Sequence, residues 1–332
     1  MSRSSDRPLV VVTDHGFPDL AQERAVLAST GARLEVAPAA SGSGLAAAVR
    51  DADALLVQFA RIDAHLVAQL RRCRVIVRYG IGVDTIDLDA AAQRGIAVVN
   101  VPDYALDEVA DHALALLLAS ARRLVRVALQ VRAGTWDLSP CRPLRSLSSM
   151  TLGLAGFGAI ARRVASRAQA LGMRVVAFDP FVDTEDFAQA SVTPVDWDGL
   201  LEGSDVISVH LPLTEATHHL FGAAAFATMR PGVVFVNTSR GAVVDTGALL
   251  DALRSGRVAA VGLDVLETEP PADDDPLVHH PNAIVTSHCA WYSEESLQRL
   301  QRLAAEEVAR ALRGERPRHV VNRPRARGET SG

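Results

Sequence analysis

Gly156, Gly158 and Ala161 fall in the spacing G-x-G-x-x-A, and Asp179 closes the apolar run that follows. Residues of these types can hold a dinucleotide. The first glycine permits a tight turn, the second lets backbone N–H groups approach a pyrophosphate, and the small third residue lets a helix pack on its strand. Ala159 and Ile160 begin that helix, whose positive end faces the phosphates. The Asp179 carboxylate can accept hydrogen bonds from both ribose hydroxyls of an adenosine and repels a 2′-phosphate. No Arg or His follows in residues 180–183, so the stretch favours NAD over NADP. The plainer alternative is a glycine turn in some other α/β domain, with Asp179 as a strand-end turn residue.

Positioning these groups takes a strand before the glycines (Thr151 to Ala155), a helix after them (Ala159 to Leu171) and a second strand (Met173 to Phe178), and the periodicities predict all of these. Upstream, short apolar runs at Leu9 to Thr13, Arg33 to Val36, Ala54 to Gln58, Val75 to Val77 and Ala97 to Val99 alternate with helical stretches. Such alternation predicts a doubly wound parallel sheet lying entirely before the dinucleotide unit. Tyr104 to Arg132 reads as one long helix that bridges two domains. The alternation resumes with strands at Val206 to His210, Val233 to Asn237, Ala259 to Leu263 and Ala283 to Thr286. A helix over Thr246 to Arg254 and an amphipathic one over Leu297 to Leu312 complete it. Pro317 to Gly332 reads as a loose tail.

At 332 residues, 48% hydrophobic and 22% charged, the chain has the composition of a globular protein large enough for two domains. Its net charge of -5 gives no electrostatic reason to expect nucleic acid or an anionic membrane as partner. The longest apolar run, Ala113 to Ala119, is too short for a bilayer, and the polar start lacks a secretory core, so a cytoplasmic protein is expected. Cys73, Cys141 and Cys289 lack metal or disulfide spacing, and no metal is expected. Every one of the 34 basic residues is Arg. A lysine Schiff base, a Walker A site and any lysine acid/base are thereby excluded.

Beyond the glycine unit stand VISVHLPLT (206–214), MRPGVVFVNTSRGAVVD (229–245), GLDVLETEP (262–270) and Ser287-His288, with RYGIGVDTIDL (78–88) and NVPDYALDEVADHAL (100–114) upstream. Together these resemble the D-isomer-specific 2-hydroxyacid dehydrogenase family over nearly the whole chain. The resemblance implies two doubly wound parallel-sheet (Rossmann-like) α/β domains with a cleft between them. Residues 1–102 plus 292–332 would form a discontinuous substrate domain, and 103–291 the NAD domain. It also implies an NAD-dependent oxidoreductase, commonly a homodimer, moving hydride between nicotinamide C4 and the C2 of a small anionic 2-hydroxy or 2-oxo acid.

By that resemblance His288 is the acid/base, Glu269 the carboxylate that pairs with it and favours imidazolium, and Arg240 the cation for the substrate carboxylate and C2 oxygen. Spacing alone does not choose between Glu267 and Glu269; the family's acid directly precedes the proline. Asp264 matches the residue that binds the nicotinamide carboxamide, and His210, Pro212, Thr217, Thr238 and Ser239 lie on loops that line the cofactor. Each of these could instead satisfy local backbone at a strand end, and His218 and His219 read as ordinary exposed residues.

For the substrate, Arg78, Tyr79, Gly80, Ile81 and Gly82 follow a strand and offer glycine-exposed N–H groups suited to a carboxylate. Arg61 is a weaker candidate. Cys289-Ala290-Trp291-Tyr292-Ser293-Glu294 resembles the corepressor branch called C-terminal-binding proteins. There Trp291 would narrow the pocket and wall an apolar or thioether side chain, or else pack at a hinge. This departure, with no C-terminal regulatory domain, argues against a 3-phosphoglycerate dehydrogenase. The rival function is an NAD(H)-sensing corepressor-like binding protein of the same fold.

Overall fold

In the computed structural model, residues 7–324 are described. Strands β1 (Leu9–Val12), β2 (Arg33–Val36), β3 (Ala54–Val57), β4 (Val75–Arg78) and β5 (Ala97–Val99) pair in parallel, in the order β2-β1-β3-β4-β5. A second parallel sheet holds β6 (Thr151–Ala155), β7 (Arg174–Phe178), β8 (Thr193–Pro194), β9 (Val206–Val209), β10 (Val233–Asn237), β11 (Val258–Leu263) and β12 (Ala283–Val285). Their order is β12-β11-β10-β9-β6-β7-β8. Both are doubly wound α/β sheets, as the alternation predicts. The chain divides into two compact units, one of residues up to Ala105 together with those from Ser293 onward, the other of Leu106–Tyr292.

The central strands are apolar on both faces because both faces are covered. ALLV of β3, VISV of β9 and VVFVN of β10 are buried throughout, whereas the edge strand β2 is largely exposed. One face of the second sheet packs Phe221, Phe235, Leu249 and Leu253, the other Leu116, Leu117, Leu152, Val164 and Phe187. Each such side chain contributes about 1.5–3 kcal/mol by leaving water. Val11, Leu55, Val57, Ile76 and Val98 centre the core of the first unit. The helix Glu294–Leu312 begins at a capping box of Ser293 with Ser296.

Two readings of the sequence need correction. The helical stretch from Tyr104 to Arg132 is two helices, Leu106–Ala121 and Leu124–Arg132, broken at Arg123, whose φ is +52. The first belongs wholly to the second unit, burying Val109, Ala113, Leu116 and Leu117; the second buries none of its residues. The buried stripe ends at Ala121, so beyond it no burial keeps the chain on the same axis. Residues 317–324 are also not loose. Val320 bridges Val99 antiparallel, Val321 N–H donates to Val98 O, and Asn322 accepts from Val98 N–H and donates to Ile96 O. The open edge of β5 supplies these partners; the rest of the expected tail, 325–332, lies outside the described residues. The helices Thr184–Gln189, Trp197–Gly203 and Ala223–Thr228, too short for a clear period, were not legible in the sequence. No described helix is long and apolar enough to cross a membrane.

Candidate active site

Strand order reverses beside β6, and ligands of open parallel sheets bind at strand ends where this occurs. The glycine turn leaves β6 there. Gly156 has φ +89, and a Cβ on it would stand 2.6 Å from the His210 carbonyl oxygen, so only glycine fits between the ends of β6 and β9. Gly158 is the N-cap of the helix Ala159–Ala170, and its Cβ position meets nothing within 4 Å. The first-turn N–H groups, including those of Ala159 and Ile160, have no intrahelical acceptor, as at any helix N-terminus.

Asp179, just past β7, turns back onto this turn. Its Oδ2 accepts from Phe157 N–H at 2.8 Å and its Oδ1 from Phe181 N–H at 3.0 Å. Carboxylate oxygens keep further lone pairs for ribose hydroxyls. Thr238, at the end of β10, holds a buried Oγ1 with no hydrogen-bond partner among the described residues. The glycine turn, the carboxylate beside it and this unsatisfied hydroxyl fit a dinucleotide.

His210 follows β9 with Nε2 2.9 Å from Ser208 Oγ, and burial pushes its imidazole down to about 4, so it stays neutral at physiological pH. Thr217 donates from Oγ1 to the Pro212 carbonyl at 2.6 Å and accepts from Thr214 N–H, which folds the 212–217 loop on itself. Ser239 donates from both N–H and Oγ to Asn237 Oδ1, closing the turn that carries Arg240.

His288 and Glu269 meet. His288 Nδ1 lies 2.7 Å from Glu269 Oε2, and since the carboxylate can only accept, Nδ1 carries the proton. Both side chains are about half exposed. Burial works against ionisation of Glu269. The hydrogen bonds from His288 and from Leu266 N–H, with the charges of His288 and Arg240, nevertheless hold its carboxyl below the usual range. Arg240 donates to the Ser239 carbonyl, and Asn237 fixes its backbone by donating to the Arg240 carbonyl. The other acid of the pair that spacing left open, Glu267, bonds His219 and Thr246 instead.

Asp264 is 1% exposed, and the chain itself uses its oxygens. They accept from Thr286 Oγ1, Cys289 N–H and Ala290 N–H, while the Asp264 carbonyl accepts from His288 N–H. The sequence did not single out His112, whose Nε2 lies 3.0 Å from Thr286 Oγ1. His112, Asp264 and Cys289 bring three potential metal-ligand atoms within 4.8 Å of one another. Thr286 and Cys289, however, already donate to the Asp264 oxygen that faces His112. Trp291 Nε1 donates to the His288 carbonyl at 3.0 Å, and its ring meets Tyr292 edge-on.

In the first unit, Arg78 ends β4 and its guanidinium turns back to donate to the Tyr79 carbonyl. Tyr79 is 1% exposed and donates to Glu23, so its ring is core rather than loop surface. Gly80 is buried, Ile81 exposed and Gly82 half-buried, while Arg61 lies exposed after β3. Phe17 packs edge-on against Tyr79, and Gln301 donates to the other Glu23 oxygen. No spacing in the sequence pointed to this buried cluster.

Residues 114–290 match the model of the D-isomer specific 2-hydroxyacid dehydrogenase, NAD binding domain, more than half of the chain. The chain belongs to this family. It is 40% identical over 280 residues to a glyoxylate reductase of Korarchaeum cryptofilum, covering 82% of this chain and 84% of the relative. It is 39% identical over 295 residues to a D-3-phosphoglycerate dehydrogenase of Archaeoglobus fulgidus, covering 89% of this chain but 56% of that protein. The chain thus spans little more than half the length of such relatives. Among solved structures, D-lactate dehydrogenase from Aquifex aeolicus, complexed with NAD and lactic acid, superposes with a TM-score of 0.81. The two are 30% identical, over 92% of this chain and 96% of the other.

Proposed function

We propose that this family member is an NAD-dependent D-2-hydroxyacid dehydrogenase, acting also as a 2-oxoacid reductase, with a small anionic 2-hydroxy or 2-oxo acid as substrate. The observation that carries this reading is the His288–Glu269 pair at 2.7 Å, with the Arg240 charge acting on the same carboxylate, in the unit that holds the glycine turn. NAD, when bound, supplies or takes up the hydride.

The chain's own residues do the rest. Glu269 fixes the ring and tautomer of His288 through Nδ1, which leaves Nε2 to take the hydroxyl proton in oxidation and return it in reduction. The planar fork of Arg240 holds the substrate carboxylate and polarises the C2 oxygen. Gly156, Gly158, Ala159 and Ile160 supply the pyrophosphate turn, Asp179 the ribose contacts, and Thr238 a hydroxyl to the cofactor. Trp291, tethered to the His288 carbonyl, walls the side chain of the substrate.

NADH absorbance followed against glyoxylate, hydroxypyruvate, pyruvate and branched, aromatic, thioether and phosphonate-bearing 2-oxo acids tests the activity. Turnover lost in His288→Ala supports it. A flat panel with NADH still bound overturns it in favour of the corepressor-like reading. Trp291→Ala is expected to reorder the panel with little change in NADH affinity.

A cytoplasmic homodimer is part of the same proposal. The helix Leu124–Arg132 leaves Leu124, Val125, Leu129 and Val131 exposed, followed by Trp136 at 90% exposure, an apolar surface that a second copy would cover. Light scattering that returns a monomer mass overturns the dimer, and cell fractionation checks the compartment.

A further inference from the structure

Glu267 and His219 form a second histidine–carboxylate pair, two residues along the chain from Glu269. His219 Nε2 lies 2.6 Å from Glu267 Oε1, while Glu267 Oε2 accepts from Thr246 Oγ1 at 2.7 Å and from Thr246 N–H at 3.3 Å. His219 is held with φ +50, a conformation uncommon outside glycine, and its N–H donates to the Ala242 carbonyl at 2.9 Å. One carboxylate therefore ties the 217–221 loop to the start of the helix Thr246–Arg254 and to the segment 264–270.

The tie lies against the reacting groups. A Cβ on Gly241 would stand 1.9 Å from the Leu266 carbonyl oxygen, so the backbone just after Arg240 rests directly on the segment that carries Glu269. Leu266 N–H donates to Glu269 Oε1 at 2.9 Å, and Glu269 Oε2 meets His288 Nδ1 at 2.7 Å. Glu267, fixed by His219 and Thr246, thus anchors the chain between Leu266 and Glu269.

We infer that His219 and Glu267 are a positioning pair for the acid/base site, holding the segment 264–270 against the Arg240–Gly241 turn so that Glu269 stays in hydrogen-bond reach of His288. The inference rests on the proposed dehydrogenase function, and it assigns the pair no contact with substrate or cofactor. Among the described residues, the charged and titratable groups around His288 are Glu269, Asp264, His112, Cys289 and Arg240; those around Glu267 are His219 and the His218 ring tilted against it at 4.0 Å.

Removing the anchor by Glu267→Ala or His219→Ala frees Glu269, and the imidazolium of His288 loses its partner. Glu267→Gln keeps an acceptor for Thr246 and a group that bonds His219, so it retains the anchor without the charge. The expected result is a kcat reduced on the order of tenfold in both alanine variants, less than the roughly hundredfold or more that removing an acid/base group costs, because His288 is still present. KM for NADH stays close to wild type, and kcat of Glu267→Gln stays within about twofold of it, under a third of the free energy of a tenfold loss. Titration of the His288 ring followed by NMR on the free proteins shifts to lower pH in the alanine variants, as in Glu269→Gln, and not in Glu267→Gln.

An unmoved His288 titration in both alanine variants overturns the inference, whatever the activity. A Glu267→Gln variant that behaves like Glu267→Ala overturns it too, because charge rather than position would then be the cause. Wild type that binds NADH and reduces no 2-oxo acid instead defeats the proposed function, and the titration still decides the positioning role.

Discussion

The backbone N–H of His288 donates to the main-chain carbonyl of Asp264 at 2.9 Å, and the Asp264 carboxylate takes the next two N–H groups, of Cys289 and Ala290, at 3.0 and 2.9 Å. His288 has φ +53, so a single buried aspartate holds the loop of the acid/base in a backbone conformation that a β-carbon resists. Strain of this kind persists only where the surroundings fix it.

Asp264→Ala keeps the main-chain acceptor of His288 but leaves Thr286 Oγ1 and the N–H groups of Cys289 and Ala290 without theirs, at a cost of about 1–3 kcal/mol for each that stays buried. Tm is expected to fall by several degrees and kcat with it, while Asp264→Asn, which retains one oxygen, falls between. Thermal unfolding and steady-state kinetics on the two variants check this. An alanine variant with wild-type Tm sinks it.

His288→Ala should lower kcat on the order of a hundredfold to ten-thousandfold, the usual worth of acid/base catalysis. Glu269→Gln should keep measurable turnover, because it removes only the anion beside Nδ1. Reduction uses protonated His288, and the imidazolium is less favoured without its carboxylate, so the alkaline limb of the reductase profile moves to lower pH. Oxidation uses the neutral ring, so its acidic limb moves to lower pH as well. Both profiles measured on one substrate check the sign; a shift to higher pH rejects the pairing.

Gly156→Ala places a methyl 2.6 Å from the His210 carbonyl oxygen at a φ of +89. The two strand ends must part, and NADH binding followed by fluorescence should be lost while far-UV circular dichroism stays native. Asp179→Ala should instead keep NADH binding, weakened, and narrow the preference for NADH over NADPH in kcat/KM. A wild-type preference for NADPH contradicts the role of Asp179.

Glu23 is buried beneath Tyr79, and burial raises its carboxyl above the usual range, against hydrogen bonds from Tyr79 at 2.8 Å and Gln301 at 3.1 Å. The folded state therefore binds the proton more tightly than the unfolded chain. Its contribution to stability is complete below the ordinary glutamate range and is lost as pH rises through the raised folded value. Glu23→Gln should flatten this decline, and urea unfolding of both proteins across that window measures it. An equal decline in the variant places the titrating group elsewhere.

The strand–glycine–helix–strand unit around Gly156 was legible because its constraints are local. A tight turn, a close approach to phosphate and a carboxylate at the next strand end impose residue types at short, fixed spacings. The central strands were legible for a related reason, since burial on both faces leaves an unbroken apolar run such as VVFVN. The candidate acid/base, its carboxylate and the arginine were named through family motifs. Glu267 and Glu269 look alike in sequence, and only the folded chain sends one to His219 and the other to His288. The break at Arg123 and the docking of residues 317–324 on β5 were likewise invisible, because each depends on where a sheet ends in space. Asp264, Glu23 and Tyr79 acquire their roles from partners distant along the chain. Local periodicity records which face of an element is buried, and it carries no information about which polar groups meet once the elements are assembled.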